Sequence, residues 1–163
     1  MLYHFYKSKY GIIQIYIEDR FIINMTMKEL EFKSISYINQ VNKQSTNQEK
    51  NILKETIKQL NEYFIGKIKK FTLPLKFQAS PFAKRVYEIV LKTEYGKTYS
   101  YQAIAQKAGS PRAYRAVGTA MKNNPFAMII PCHRVIKANG EYGRYFNNDT
   151  LKEELIEFEK GNS

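Results

Sequence analysis

"SYQAIAQKAGSPRAYRAVGTAMKNNP", residues 100–125, is the stretch whose reading decides the fold. Ser100 stands where an N-cap belongs, ahead of YQAIAQKA (101–108), and Gly109 can close that helix in the left-handed conformation. Ser110-Pro111 predicts the start of another helix, RAYRAVGTAMKNN, and Asn123-Asn124-Pro125 predicts its end. Two short helices joined by a glycine-containing turn form a helix-turn-helix pattern. Many helical hairpins share that pattern, so by itself it names an architecture and not a partner.

Working upstream, Pro81 opens a helix carrying Phe82, Val86, Ile89 and Val90, which Gly96 is expected to end. QASP (78–81) is the boundary between two lobes. Before it the chain changes character. GIIQIYI (11–17), FIINMTM (21–27) and LEFKSISYI (30–38) are β-branched and aromatic and predict strands, with a hairpin turn at Glu18-Asp19-Arg20. Residues 39–46 are polar and predict a loop. A helix follows from Thr46, where Glu49 three residues on completes a capping-box pattern. Ile52, Leu53, Ile57, Leu60 and Phe64 share its inward face, and Gly66 is its stop. FTLPLKF (71–77) is extended, and Pro74 argues against a central strand. Downstream of the helix pair, FAMIIPCHRVI (126–136) is apolar enough to be buried. LKEELIEFEK (151–160) predicts a final amphipathic helix with Leu151, Leu155 and Phe158 inward. The expected class is α/β (α+β): a small β-sheet lobe with a helix over 1–79, then a mainly helical lobe over 80–163.

The chain has 163 residues and a formal net charge of +11. The two halves share that charge almost evenly, but residues 95–140 contain no Asp or Glu while holding Lys97, Lys107, Arg112, Arg115, Lys122, Arg134 and Lys137. An acid-free basic window suits a face that meets phosphates, which favours a nucleic-acid partner over mere solubility. No apolar run reaches membrane-spanning length, and the start shows no signal peptide. A single cysteine excludes an intramolecular disulfide. The expectation is a protein of the cytoplasm, or of the nucleus in a eukaryote, away from membranes. With one cysteine and two histidines, His4 and His133, no zinc-ligand spacing exists and no metal is expected.

That cysteine, Cys132, lies in IIPCHRVI (129–136) with His133 and Arg134 beside it. A thiolate is the reactive form of cysteine, and cations or a histidine stabilise it. Adjacent side chains need not point the same way, and an unpaired cysteine in an apolar run is usually an inert core residue. Taken singly, His133 reads as a core histidine, Arg115 and Arg134 as solvated charges, and Tyr101 as a packing aromatic.

Together, SYQAIA, GSPRAYRAVGTAMKNNP, IIPCHRVIKANG, GRY and LKEELIEFE resemble the O6-alkylguanine-DNA alkyltransferases, the methylated-DNA–protein-cysteine methyltransferases. PCHRV is the most specific of these signatures. The resemblance is strong over the second half, where Tyr87 replaces a usual Trp. It is weaker over the first, where LNEYFIGK and FTLPL look like a helix end and following strand of a ribonuclease H-like lobe. The resemblance implies direct DNA repair. Cys132 takes the alkyl group from O6-alkylguanine, and from O4-alkylthymine, in double-stranded DNA. His133 takes the thiol proton through a water, Glu159 holds His133, Asn124 fixes the network, and Tyr101 assists the departing guanine. Backbone near Cys132, Val135 and Phe146 reads the base, in a pocket that Tyr145 and Asn147 also line. Arg115 fills the space left by the flipped nucleotide, and Arg112, Ala113, Tyr114, Ala116, Gly118, Thr119, Lys122 and Arg134 meet DNA in the minor groove. With His133 and Glu159 cooperating, the Cys132 pKa is expected below its unperturbed value of about 8.5.

The product is a thioether that no second thiol can resolve, so the resemblance implies a cofactor-free monomer that acts once. Two departures stand out: the loop Tyr145-Phe146-Asn147-Asn148 lacks the family's usual glycines, and Tyr114 stands where a small residue is usual. Two other readings compete. A non-catalytic lesion binder of alkyltransferase-like type would lack the cysteine. A Cys-His hydrolase would need an oxyanion hole, for which the sequence gives no sign.

Overall fold

Ile13, Ile15 and Ile17 are fully buried along one strand while Ile12 is exposed, the period-two signature of a sheet with one face in a core. In this computed structural model, which describes residues 1–27, 42–143, 145–146 and 150–163, that strand is the middle of three. β1 (Leu2–Ser8), β2 (Gly11–Glu18) and β3 (Phe21–Thr26) form an antiparallel sheet in the order β1-β2-β3, with a register shift at Tyr16/Ile17. Asp19 takes a positive φ of 55° in the predicted β2–β3 turn. β1 is a strand that the alternation pattern did not single out. LEFKSISYI lies outside the described residues.

Helix α1 (Asn47–Phe64) packs against all three strands. Its capping box forms as expected: Thr46 Oγ1 accepts the Glu49 N–H at 3.1 Å and Glu49 Oε2 accepts the Thr46 N–H at 2.8 Å. Such a cap is worth about 1 kcal/mol. The inward face differs from the predicted one. Leu60 is buried, but Ile52, Leu53, Ile57 and Phe64 are half-buried, and Glu49, Thr56, Gln59 and Tyr63 go inside instead. The polar ones are satisfied there. Gln59 bonds Thr72 twice, giving from Nε2 to Oγ1 at 3.0 Å and accepting its N–H at 2.9 Å. That pair pins the extended segment 71–77, whose Pro74 contributes only a carbonyl, to the Ile22 N–H at 2.9 Å. The missing N–H of Pro74 therefore costs nothing. Asn42, expected in a loop, is helical, and its side-chain amide bonds both backbone groups of Tyr3 at 2.8 Å.

These elements make up one compact unit, Met1–Phe77; Gln78–Ser163 make up a second. In the second, α2 (Pro81–Leu91) is capped by Ser80 and ends at Leu91, well before Gly96. Gly96 belongs to a later turn. It has φ 76°, and a Cβ there would lie 2.9 Å from Ser163 Cβ, so both conformation and space demand glycine. α3 (Tyr101–Lys107) is capped by Ser100, whose Oγ accepts the Ala103 N–H at 3.0 Å. Gly109 ends it with φ 73°. The Ser110 N–H reaches the Ala105 carbonyl and the Gly109 N–H the Gln106 carbonyl, both at 3.0 Å, which is a Schellman motif. α4 (Tyr114–Lys122) starts later than predicted, because Pro111 and Arg112 form a turn that precedes the cap at Ala113. Val117, Ala120 and Met121 are its buried face. After a 3₁₀ turn at Cys132–Arg134, the two-residue β5 (Val135–Ile136) pairs in parallel with β4 (Tyr99–Ser100). α5 (Leu151–Gly161) closes the unit. Leu151 and Leu155 face inward as expected, but Phe158 is half-buried; Lys152, Ile156 and Glu159 take the inner positions. No helix among the described residues is long and apolar enough to cross a membrane.

Candidate active site

The chain reaches Cys132 through two tight turns. Met128 has φ 71°, and the Ile129 N–H bonds the Ala127 carbonyl at 2.9 Å, a γ-turn in its strained form. Pro131 (φ −78°, ψ 64°) then forms an inverse γ-turn, closed by the Cys132 N–H on the Ile130 carbonyl at 2.7 Å. Burial of Phe126, Ala127, Met128, Ile129 and Ile130 holds this path. The Asn124 side chain braces it: Oδ1 accepts the Phe126 N–H at 2.9 Å, and Nδ2 lies 2.9 Å from the Ile130 carbonyl and 3.0 Å from Cys132 Sγ.

Cys132 is only 2% exposed, and its thiol lies 3.6 Å from Tyr145 Oη. Burial pushes the thiol up from its ordinary value, against the pull of Asn124, Tyr145 and the charge of Lys152. The expectation of a depressed Cys132 pKa is therefore corrected: in the resting protein the group is a thiol, because desolvation outweighs its hydrogen bonds.

His133 is fully buried, and its Nε2 lies 2.7 Å from Glu159 Oε1. Burial lowers its pKa despite Glu159, so the ring is neutral near pH 7. Nε2 then donates to the carboxylate, which leaves Nδ1 as the acceptor; Nδ1 is buried with no hydrogen-bond partner among the described residues.

Glu159 receives more than His133. Arg134 Nε lies 2.9 Å from Oε2 and Nη2 lies 3.0 Å from Oε1, and the Gly96 N–H donates to Oε2 at 3.0 Å. Arg134 Nη1 continues to the Thr93 carbonyl at 2.7 Å. Burial works to raise the Glu159 pKa, but the His133 and Arg134 contacts hold the carboxyl well below the usual carboxylate range. Arg134 is thus corrected as a DNA contact. It is 4% exposed and its donors are committed inside the fold. Glu159 stays an anion that the neighbouring Arg134 guanidinium enforces.

The β4–β5 pairing sets the start of α3 beside the cysteine turn, and Tyr101 is the first residue of α3. Burial raises its pKa, so it is held as a neutral phenol. Lys152, which the sequence reading missed, places Nζ 3.3 Å from Tyr101 Oη. Burial lowers the Lys152 pKa to about 8. The available signal was positional: Lys152, Leu155, Ile156 and Glu159 share one face of α5, and two of the four are charged. Tyr145 is buried with its ring 4.6 Å from that of the half-buried Phe146, and Asn147 lies outside the described residues. The Val135 N–H is spent on the Cys132 carbonyl. Among the described residues no group of three His, Cys, Asp or Glu side chains gathers to hold a metal.

On α4 and the turn and cap before it, the remaining candidates form one outward surface. Arg112, Tyr114, Arg115, Ala116, Thr119 and Lys122 are exposed, Ala113 and Gly118 half-buried. Tyr114 is therefore outside the core, its ring 6.0 Å from the Arg115 guanidinium.

Comparison with known proteins matches both halves of the chain. The family described as 6-O-methylguanine DNA methyltransferase, DNA binding domain, matches residues 81–161, and its ribonuclease-like domain counterpart matches residues 1–77. The methylated-DNA–protein-cysteine methyltransferase of Methanosarcina barkeri is 42% identical over 113 residues, 69% of this chain and 72% of that protein. The constitutive enzyme of that name from Bacillus subtilis is 41% identical over 109 residues, 66% of each chain. The crystal structure of Mycobacterium tuberculosis O6-methylguanine methyltransferase superposes with a TM-score of 0.83 at 31% identity, over 99% of this chain and 94% of that one. The M. tuberculosis OGT in complex with DNA gives a TM-score of 0.82 at 30% identity, over 100% and 95%. Matched through both units, with its one thiol in the PCHRV turn, the chain belongs to the methylated-DNA–protein-cysteine methyltransferase family.

Proposed function

We propose that this protein repairs double-stranded DNA by moving the alkyl group of O6-alkylguanine, and of O4-alkylthymine, onto Cys132, once per molecule. The observation that carries this reading is the lone buried thiol braced by Asn124, next in sequence to a histidine whose tautomer a locked carboxylate fixes.

His133 Nδ1 takes the thiol proton through a bridging water as a flipped base enters. Glu159 stabilises the imidazolium but does not take the proton, because Arg134 keeps it ionised. The thiolate sulfur attacks the alkyl carbon; the S–C bond forms as the C–O6 bond breaks, and the electron pair leaves with the guanine. Tyr101 gives that leaving group its proton. The Lys152 ammonium, 3.3 Å away, stabilises the tyrosinate that results. The thioether stays on Cys132, and the chain has no other cysteine to remove it.

Since Cys132 is buried, a base inside a duplex cannot reach it and must be flipped out. The exposed face of α4 and the turn before it meet the minor groove: Arg112 and Lys122 contact phosphates, Ala116 and Gly118 allow close approach, and Arg115 occupies the vacated space. The protein acts as a monomer in the cytoplasm. His133→Ala tests the mechanism. It is expected to slow single-turnover methyl transfer from an O6-methylguanine duplex by about 10²-fold or more while duplex affinity stays near wild type. An unchanged rate removes His133 from the reaction.

A further inference from the structure

Helix α4 opens on a residue that the reaction above does not use. Tyr114 is 46% exposed, the only exposed aromatic side chain among the described residues. The fold does not call for it. The buried face of α4 consists of Val117, Ala120 and Met121, and the cap at Ala113 uses no side chain. A ring held in water forgoes the burial that usually retains an aromatic residue. Its surroundings are cationic: Arg112 and Arg115 flank it in sequence, and no carboxylate occurs anywhere from 95 to 140. The Arg115 guanidinium rides over the ring at 6.0 Å, which couples the position of one side chain to the other.

A phosphate would be met by an amine, guanidinium or hydroxyl on a flexible stem. A flat, rigid ring in a cationic setting suits the face of a nucleobase instead. Extruding one nucleotide leaves two defects in a duplex: a gap in the stack, and a base on the other strand that has lost its partner. We propose that Tyr114 stacks on the base left unpaired opposite the flipped guanine, with Arg115 carried on its ring, so that the opposing base becomes part of what this protein recognises. The inference rests on the reading of α4 as the DNA-facing helix. It makes Tyr114 a specificity-determining residue and leaves the transfer chemistry at Cys132 untouched.

The test compares wild type, Tyr114→Ala and Tyr114→Phe on two duplexes, with O6-methylguanine opposite cytosine or opposite an abasic site. Single-turnover rates are read at sub-saturating protein. Opposite cytosine, Tyr114→Ala is expected to lose about tenfold, the scale of one base–aromatic stack, and Tyr114→Phe to match wild type. Opposite the abasic site all three are expected to agree. The inference is overturned if Tyr114→Ala loses nothing opposite cytosine, if it loses as much opposite the abasic site, or if Tyr114→Phe falls with it. Free O6-methylguanine at high concentration supplies the control, since it needs no flipping: all three proteins are expected to gain one methyl mass on Cys132. Absence of that gain in wild type overturns the alkyl-acceptor reading and this inference with it. A normal methyl gain beside an adverse duplex result overturns the stacking alone.

Discussion

Two charges are buried along one face of α5, Glu159 and Lys152, and each is kept for a different reason. Glu159 has donors from His133, Arg134 and Gly96, so its burial is compensated. Lys152 is 2% exposed and has the Tyr101 hydroxyl beside it, but its pKa has still fallen to about 8. A lysine lowered in the folded state costs stability wherever the unfolded chain stays protonated and the folded one resists it. Between pH 8 and 10.5 the unfolded chain binds more protons, so the stability of the wild type rises with pH there. Lys152→Met is expected to melt above wild type at pH 7, with the gap narrowing as pH climbs through 8, and to alkylate slowly on any substrate. Thermal melts from pH 7 to 9.5 check the sign; a gap that widens with pH would show that Lys152 is not the strained charge. At this scale the sequence was legible only where a motif spoke. Cys132 and His133 stand in PCHRV, and Glu159 came through family resemblance alone. Arg134 was misplaced because a charge next to a cysteine looks the same whether it turns outward to phosphate or inward to a carboxylate 25 residues away.

At the scale of elements, caps and turns did what their residues demand. Thr46, Ser80 and Ser100 cap three helices with side-chain bonds, and Gly109 closes α3 in the left-handed region. The Thr46 and Ser100 caps and the Gly109 stop were legible because a cap is a local interaction within three or four residues; the Ser80 cap was not singled out. Where the reading slipped, tertiary packing overrode it. α1 buries Gln59 and Thr56 in place of Ile52 and Ile57 because segment 71–77 supplies Gln59 with partners, and Thr56 Oγ1 turns back to the Ile52 carbonyl at 2.7 Å. α4 begins at Tyr114, since the Ser110-Pro111-Arg112 turn must first bring the chain round from α3. Gly109→Ala isolates the turn's contribution. A Cβ there would meet nothing within 4 Å, so the change is purely conformational. It is expected to cost about 1–2 kcal/mol in urea unfolding, with the alkylation rate of the folded protein unchanged. A neutral result would mean that the α3–α4 turn has another conformation open to it.

For the whole molecule, charge and thiol count tell complementary stories. The net charge of +11 is spread over both halves, yet the acid-free window coincides with the exposed face of α4 and the cysteine turn. Composition made a polyanionic partner legible; only the folded chain separates Arg112, Arg115 and Lys122, which face solvent, from Arg134, which does not. The change of periodicity near QASP put the sequence-based boundary between residues 79 and 80, since strands repeat every two residues and helices every 3.6, whereas the compact units of the folded chain divide between Phe77 and Gln78. The central claim concerns the one cysteine and its single use. The direct measurement is to incubate the protein with a large excess of O6-methylguanine duplex, weigh the intact chain over time, and map the product by peptide mass. The account predicts a gain that stops at one methyl group per chain, carried by the peptide containing Cys132, with repaired DNA formed in equal amount. Continued repair beyond one equivalent, or a methyl group found elsewhere with Cys132 free, would contradict it.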